Sequence, residues 1–329
     1  MLKISHRQIL YPCYITPVMA QSARWVTADR PCPLTGARDS EVIATRSRDG
    51  SELRNIISLE SGIIYVDPLP VRDLATFYRE EYRLSYKQTF TPKPKHILRA
   101  ARACRNRLQR AGEVVRAGMR CLDIGAGGGE WVYYMKTLGC ESFGIEPNTG
   151  YGTFSKDNYG VDVFLGMYQE SDFPRESFDV LSLFHVLEHL ADPVEDLRRM
   201  SLFLKPGGRF LIEVPDILFP GMRFDHKWHE GHLFGFARPT LEAVAAKAGL
   251  RMVGIKASGG NLSGVFEKSG EETLPLPDLS GHAAEAKAAL LAGHDHYWSL
   301  ANTYLKLPVR LARQIEELWV SRRESSPKA

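Results

Sequence analysis

Cysteine is scarce in this chain: five residues among 329, Cys13, Cys32, Cys104, Cys121 and Cys140, none closely paired. An odd, scattered set excludes a disulfide framework and reads as reduced thiols, with a cytoplasmic location. Long apolar runs are missing as well. No stretch approaches the roughly 18 residues needed to span a bilayer, so no membrane insertion is expected. The start, Met1-Leu-Lys-Ile-Ser-His-Arg7, lacks the apolar stretch of a secretory signal. Charge of one sign is not in excess either. A formal net charge of +3 is too small to argue for nucleic acid or a membrane surface as partner.

What is present is an ordinary globular composition, 44% hydrophobic and 25% charged, on a chain long enough to bury a large core. Its most informative segment is Cys121-Leu-Asp-Ile-Gly-Ala-Gly-Gly-Gly-Glu-Trp131. The apolar start reads as the end of a buried strand, the glycines as a tight turn, and 130–135 as the helix that follows. Glycine in such a turn lets a ligand approach the backbone, because no Cβ intervenes. About twenty residues on, Phe143-Gly-Ile-Glu146 reads as a second strand ending in a carboxylate. An acid there can accept hydrogen bonds from both hydroxyls of a ribose, so the chain reads as built to hold a nucleoside. Glycine spacing then separates two ligand types. A dinucleotide turn is G-x-G-x-x-G, whereas Gly125, Gly127 and Gly129 give G-x-G-x-G, with Glu130 at the third dinucleotide position. A negative charge at that helix start repels a pyrophosphate and suits a ligand bearing an ammonium group.

With Asp123 two residues before Gly125, the turn resembles the first motif of the class I S-adenosylmethionine (SAM) methyltransferases, [E/D]-x-G-x-G-x-G. Ser177-Phe-Asp-Val-Leu-Ser-Leu-Phe184, His185-Val-Leu-Glu-His189 and Leu204-Lys-Pro-Gly-Gly-Arg-Phe-Leu-Ile-Glu-Val214 are similar to that family's fourth strand, following turn and fifth strand, in the expected order. The likeness covers roughly residues 94–268. It implies an α/β fold: a Rossmann-like seven-stranded sheet, with a small N-terminal strand-rich module and C-terminal helices. It implies SAM as cofactor, with Asp123 opening the motif and Gly125, Ala126, Gly127 and Gly129 forming the turn. Glu146 then takes the ribose, Pro147 and Asn148 line the adenine, and Phe184 and His185 lie near the transferable methyl. The family often has an aspartate after the third strand. Met167 stands there, so Met167 is expected against the ring and the Tyr168 backbone N–H beside it.

Three regions are expected: 1–92, a ribbon-like module and helix; 93–270, the methyltransferase domain; and 271–329, a helical extension able to join two copies as a homodimer. Strands are read at 119–124, 141–145, 161–165, 178–184, 207–214, 250–257 and 261–268. Ser258-Gly-Gly260 joins the last two as an antiparallel hairpin closing a mostly parallel sheet. A helix over 95–109 carries the apolar stripe Ile97, Ala101, Cys104 and Leu108, and its five arginines read as a solvated face. In the first region, 56–65 reads as two strands about a glycine turn, and 71–82 has helical spacing. Asp67-Pro68 and Phe77-Tyr-Arg-Glu-Glu-Tyr82 resemble the N-terminal module of certain sugar and natural-product methyltransferases, which holds zinc. In Cys32-Pro-Leu-Thr-Gly36, however, Thr35 stands where the second thiolate should be, so no metal is expected. At the end of the chain 283–292 is alanine- and leucine-rich, the apolar pattern of 298–319 breaks at Pro308, and Ser325 onward reads as a frayed tail.

The resemblance leaves the acceptor open: first a small molecule, at a hydroxyl or carbon of a nucleotide-linked or glycan sugar or of a natural-product scaffold, with RNA or protein methylation or a non-catalytic SAM binder as alternatives. The connection after the fifth strand, 215–236, is rich in turn residues, aromatics and histidines. Long connections at the carboxyl end of such a sheet commonly cover the ligand. Sugar-methyltransferase relatives have H-E-H-L-x-x-F here, and this chain has His229-Glu-Gly-His-Leu-Phe-Gly-Phe236. The base for an acceptor hydroxyl is therefore open between His185, His229, Glu230 and His232. His189 reads as structural, with Glu188 beside it. Asp225, His226, His229 and His232 are a weaker alternative as a metal cluster.

Overall fold

Seven strands build one sheet in the order β11-β12-β9-β8-β5-β6-β7. They are β5 (Arg120–Ile124), β6 (Glu141–Glu146), β7 (Asp162–Leu165), β8 (Phe178–Phe184), β9 (Leu204–Pro215), β11 (Leu250–Ser258) and β12 (Asn261–Lys268). β5 to β9 run parallel, while β12 is antiparallel to β9 and β11 to β12. Every strand read from the sequence in this region is present, including the hairpin, where Ser258 pairs with Asn261. The computed structural model describes residues 24–70, 76, 79, 91–111, 114–297, 308, 311, 312 and 314–317. Cys13, nearly all of the expected helix at 71–82, most of 298–319 and the tail from 325 lie outside the described residues.

The central strands β5, β8 and β9 carry buried runs because both of their faces are covered. On β9, Phe210, Ile212 and Val214 face one core together with Val194, Leu197 and Met200 of α4 (Pro193–Ser201) and Leu241, Val244 and Ala245 of α5 (Arg238–Lys247). Leu211 faces the other core with Cys104 of α1 (Pro94–Ala111) and Trp131 and Met135 of α2 (Glu130–Thr137). Between β6 and β7 lies α3 (Thr149–Tyr159), its first turn capped by the Asn148 side chain, which accepts from Tyr151 N at 3.1 Å.

Arg105 of α1 is exposed as a solvated face requires, but the other four arginines of the helix have carboxylate partners. Arg107 and Arg110 pair with the buried Glu213 of β9, an interior strand, at 3.0 and 2.7 Å. Arg99 pairs with Glu317 and Arg102 with Glu316. Ala101, assigned to the apolar stripe, is exposed, whereas Cys104 and Leu108 do pack into the core.

The N-terminal strands β1 (Arg24–Thr27), β2 (Asp39–Arg46), β3 (Glu52–Ser58) and β4 (Ile64–Val66) form an antiparallel sheet of their own. Its fifth strand, β10 (Phe234–Gly235), comes from the connection after β9 and pairs antiparallel with β4. One face of this second sheet joins the main core through Val42, Ile56 and Tyr65. The other packs Ile43, Ile57 and Ile64 against Ile217 and Trp228 of the connection and Ala286 and Leu290 of α6 (His282–Tyr297). The first strands and the connection thus share one folding unit. The short β10 has no pattern of its own in the sequence, since two residues carry no period. The loop at 31–36 folds without a knuckle. Cys32 Sγ is buried 3.2 Å from Ser61 Oγ, and Thr35 Oγ1 accepts from Ala37 N.

Candidate active site

The chain runs outward from β5 to β7, then returns to β8 beside β5, so the carboxyl ends of β5 and β8 bound a crevice. Crevices at such a reversal are where open α/β sheets bind ligands. Here the crevice is a cavity of about 530 Å³, bounded on one side by Gly125, Glu146 and Met167 and on the other by the 215–236 connection.

Backbone needs explain the glycine turn. Gly125 and Gly129 have φ of +79° and +83°. A Cβ on Gly125 would stand 2.4 Å from Val186 Cγ2, and one on Gly129 would stand 2.5 Å from Ser155 Cβ. The first glycine keeps the cavity open beside β8, and the second seats α2 against α3. The Glu146 carboxylate, 3% exposed, accepts from Gly127 N at 2.7 Å and Asn148 N at 3.0 Å. Those two amides fix its orientation at the cavity wall. Pro147, Met167 and Tyr168 line the same end, with the Tyr168 hydroxyl donating to Asp196 at 2.5 Å. Met167 N donates to Glu170 at 2.7 Å.

Asp123, Ala126, Gly127, Gly129, Asn148 and Glu230 are outside the cavity wall. Asp123 is buried beneath the turn and accepts from Ser182 Oγ at 2.5 Å. Burial pushes its carboxyl up to about 7, against that hydrogen bond.

At the end of β8 the chain turns sharply through His185, a non-glycine residue at φ +58°. Left-handed backbone at such a residue is a strained conformation that its surroundings must hold. Here His185 N donates to Glu213 O, while ring atoms Nδ1 and Nε2 stand 3.4 Å from Glu188 and 3.4 Å from Glu213. Burial opposes a charge on this ring, but the contacts with Glu188 and Glu213 outweigh it and raise it to about 9. Glu213 is in turn held well below the usual carboxylate range, its burial overcome by His185 and Arg107. Arg107 also lies 4.0 Å from the centre of the Phe184 ring. A ring protonated at neutral pH, with a carboxylate at each nitrogen, cannot take a proton. His185 is a fixed cation at the cavity wall, and that argues against it as the base.

The loop histidines differ from one another. His229 Nδ1 accepts from Gly231 N at 2.9 Å, so the neutral ring carries its proton on Nε2 and has its lone pair occupied. Burial, with Arg48 and His189 nearby, lowers it to about 4. That tautomer makes His229 a donor and a poor base. His232 stacks on it with ring centres 4.7 Å apart and meets His189 edge-on at 4.8 Å. Burial lowers the His232 pKa well below its ordinary value, so this ring is neutral at the cavity wall.

His189, read as structural, also lines the cavity; its Nδ1 lies 2.6 Å from Gly231 O and donates to it. Glu188, 1% exposed, faces it. The signal for this pair was its place directly after β8, at the carboxyl end of the sheet. The grouping of Asp225, His226, His229 and His232 does not assemble: Asp225 is exposed and paired with Arg223 at 3.0 Å. Among the described residues, Glu188, His189 and His232 are the three that come together.

Comparison with known proteins agrees with this geometry. Residues 96–255 match the family described as a methyltransferase domain. They form a methyltransferase domain. The ubiquinone biosynthesis O-methyltransferase of Ruegeria pomeroyi is 35% identical over 35% of this chain and 52% of its own length. That of Bradyrhizobium sp. is 32% identical over 29% of this chain and 40% of its own length. The chain thus spans about half or less of the curated relatives it matches. Among solved structures, the Burkholderia thailandensis 1,6-didemethyltoxoflavin-N1-methyltransferase, with bound 1,6-didemethyltoxoflavin and S-adenosylhomocysteine, has a TM-score of 0.48 and 19% identity, covering 65% of this chain and 97% of its own. No helix among the described residues is long and apolar enough to cross a membrane.

Proposed function

We propose that this protein transfers a methyl group from SAM to a hydroxyl of a small-molecule acceptor, with a sugar or sugar-bearing scaffold as the acceptor class. The observation that carries the reading is one cavity with two unlike ends. At one end the glycine turn, the oriented Glu146 carboxylate and Pro147 fit the methionine, ribose and adenine parts of the cofactor. At the other, neutral His232 stands beside a wall of Asn55, Lys227, Trp228 and Phe234, a mixture of hydrogen-bonding and aromatic groups that suits a hydroxyl-rich ring. Oxygen as the acceptor atom agrees with the O-methyltransferase names of the curated relatives.

When bound, SAM supplies a methyl group on a positive sulfur, and transfer to an acceptor oxygen breaks the C–S bond with its electron pair passing to sulfur. The chain's own residues have three tasks. Glu146, each of whose oxygens can accept more than one hydrogen bond, holds the ribose while keeping the Gly127 and Asn148 amides. The connection over the sheet excludes water, which matters because orientation in a dry site supplies much of the rate in such displacements. His232 takes the hydroxyl proton, since an alcohol is a weak nucleophile until that proton is removed. Lys227 holds the cover in place, its amine donating to Ile217 O and Phe219 O at 2.7 Å each.

The test is transfer of a labelled methyl group from SAM to a panel of sugars and sugar nucleotides, run beside a SAM titration. Label on a sugar hydroxyl is the expected result. SAM binding with label found only on phenols, RNA or protein would replace the acceptor class. Absence of SAM binding would remove the cofactor assignment for the whole chain.

A further inference from the structure

One carboxylate of the cavity wall has no task in the methyl transfer: Asp216, half-buried just beyond the end of β9. Its backbone is fixed on both sides. The N–H donates to Gly260 O at 2.9 Å, and the carbonyl accepts from Phe219 N at 3.1 Å. Oδ1 accepts from Leu218 N at 3.0 Å, while Oδ2 has no hydrogen-bond or ion-pair partner among the described residues. Burial pushes this carboxyl up, and the Leu218 N–H and the nearby charge of Lys227 oppose that. One oxygen therefore holds the turn, and the other is left to meet what enters the cavity.

Trp228, on the same wall, has the complementary need. It is 3% exposed, and its indole Nε1–H has no acceptor among the described residues. A buried donor left unanswered is costly, so such a group beside a cavity calls for a ligand atom. The ring is held by Phe224, edge-on with centres 5.1 Å apart. An unspent acceptor and an unspent donor in one wall discriminate between ligand types. A hydroxyl both donates and accepts, so a polyhydroxylated ring answers the two together. A phosphate or carboxylate would answer the indole alone and be repelled by Asp216. An ammonium would answer Asp216 alone, and an apolar ring neither.

We propose that Asp216 is a specificity-determining residue: it binds an acceptor hydroxyl other than the one methylated and, with Trp228, restricts the acceptor to a ring that is uncharged at that point and carries at least two hydroxyls. The inference rests on the sugar reading above and narrows it. His232 stands against His189 and His229, whereas Asp216 is anchored to the hairpin between β11 and β12, so the two hold different hydroxyls of one ring.

The experiment uses the full chain and the labelled-methyl assay on sugars, with Asp216→Asn as the main variant. Asparagine keeps an Oδ1 to accept from Leu218 N, so a merely structural role would survive the change. For the sugar that takes label, KM should rise about tenfold or more, with kcat within about threefold and the SAM dissociation constant within about twofold, the pattern of lost uniform binding. Trp228→Phe, which keeps an aromatic ring and removes the donor, should raise KM by about threefold or more. Monodeoxy analogues of that sugar give the second readout. The wild type should reject, by at least about tenfold, one analogue that retains the reacting hydroxyl, and Asp216→Asn should not. Unchanged KM and unchanged discrimination in Asp216→Asn overturn the proposal and leave the acceptor class standing. Weakened SAM binding in a variant that melts like the wild type would put Asp216 at the cofactor end and also overturn it. SAM binding with no label on any sugar removes the acceptor class, and this proposal with it.

Discussion

The two ends of the cavity are built in opposite ways. The end proposed for the cofactor comes mostly from one run of sequence: β5, the glycine turn, α2 and β6 span Arg120–Glu146, with Pro147, Met167 and Tyr168 added from just beyond it. The acceptor end is assembled from distant pieces. Phe234 pairs with Tyr65, Leu233 N donates to Glu188 O, and Arg48 N donates to Trp228 O at 2.7 Å. A site made from one super-secondary unit serves a cofactor common to many enzymes. A site made where three segments meet changes whenever one of them does, and acceptor recognition depends on such change. The two ends should accordingly fail independently when mutated.

The largest effect that would sharpen this contrast is at the acceptor end. His232→Ala is expected to lower turnover by about a hundredfold or more, the scale of a lost proton-accepting group, with the SAM dissociation constant within about twofold of wild type. Steady-state kinetics paired with calorimetry checks it, and a matching loss of SAM affinity would mean that the two ends are one unit. At the cofactor end, Glu146→Ala should weaken SAM binding by about 1.5–3 kcal/mol, the range for hydrogen bonds to a charged group. An unchanged dissociation constant would dissolve the assignment of that end. The smallest effect concerns Asp123, beneath the turn. An ordinary aspartate near 3.8 when unfolded becomes about 7 when folded, so the folded state binds the extra proton between these values. Stability should then fall as pH rises from about 4 to about 7, and the penalty should stay constant above that. In Asp123→Asn, with Ser182 still able to donate, that slope should flatten in thermal melts across the interval. An identical slope in the variant would show that Asp123 is not its source.

Several elements were legible because their signal is local. The central strands β5, β8 and β9 stand out as apolar runs because both of their faces are covered, and β12 by its alternation of buried and half-buried residues. The glycine turn stands out because its φ values exclude side chains. His185, as a candidate base, was misjudged because its partners arrive from elsewhere: Glu188 is three residues on, but Glu213 comes from the next strand, with Arg107 and Arg110 behind it. Arg107 and Arg110 of α1 looked solvated for the same reason, because helical spacing does not reveal a carboxylate on a distant strand. His229 and His232 look alike in sequence, and the Gly231 N–H that occupies one ring and not the other is a product of loop conformation.

By itself, then, the sequence marked the strands of the main sheet, the hairpin that closes it and the glycine turn between β5 and α2. Each follows from periodicity, glycine spacing and short-range chain geometry, which are properties of contiguous residues. Only the tertiary structure decided that the N-terminal strands and the connection after β9 form one sheet over the crevice. It alone paired His185 with two carboxylates and gathered Glu188, His189 and His232 at one point. Most of those meetings join residues tens of positions or more apart, fixed by which hydrophobic faces bury each other, and no local pattern in the chain encodes them.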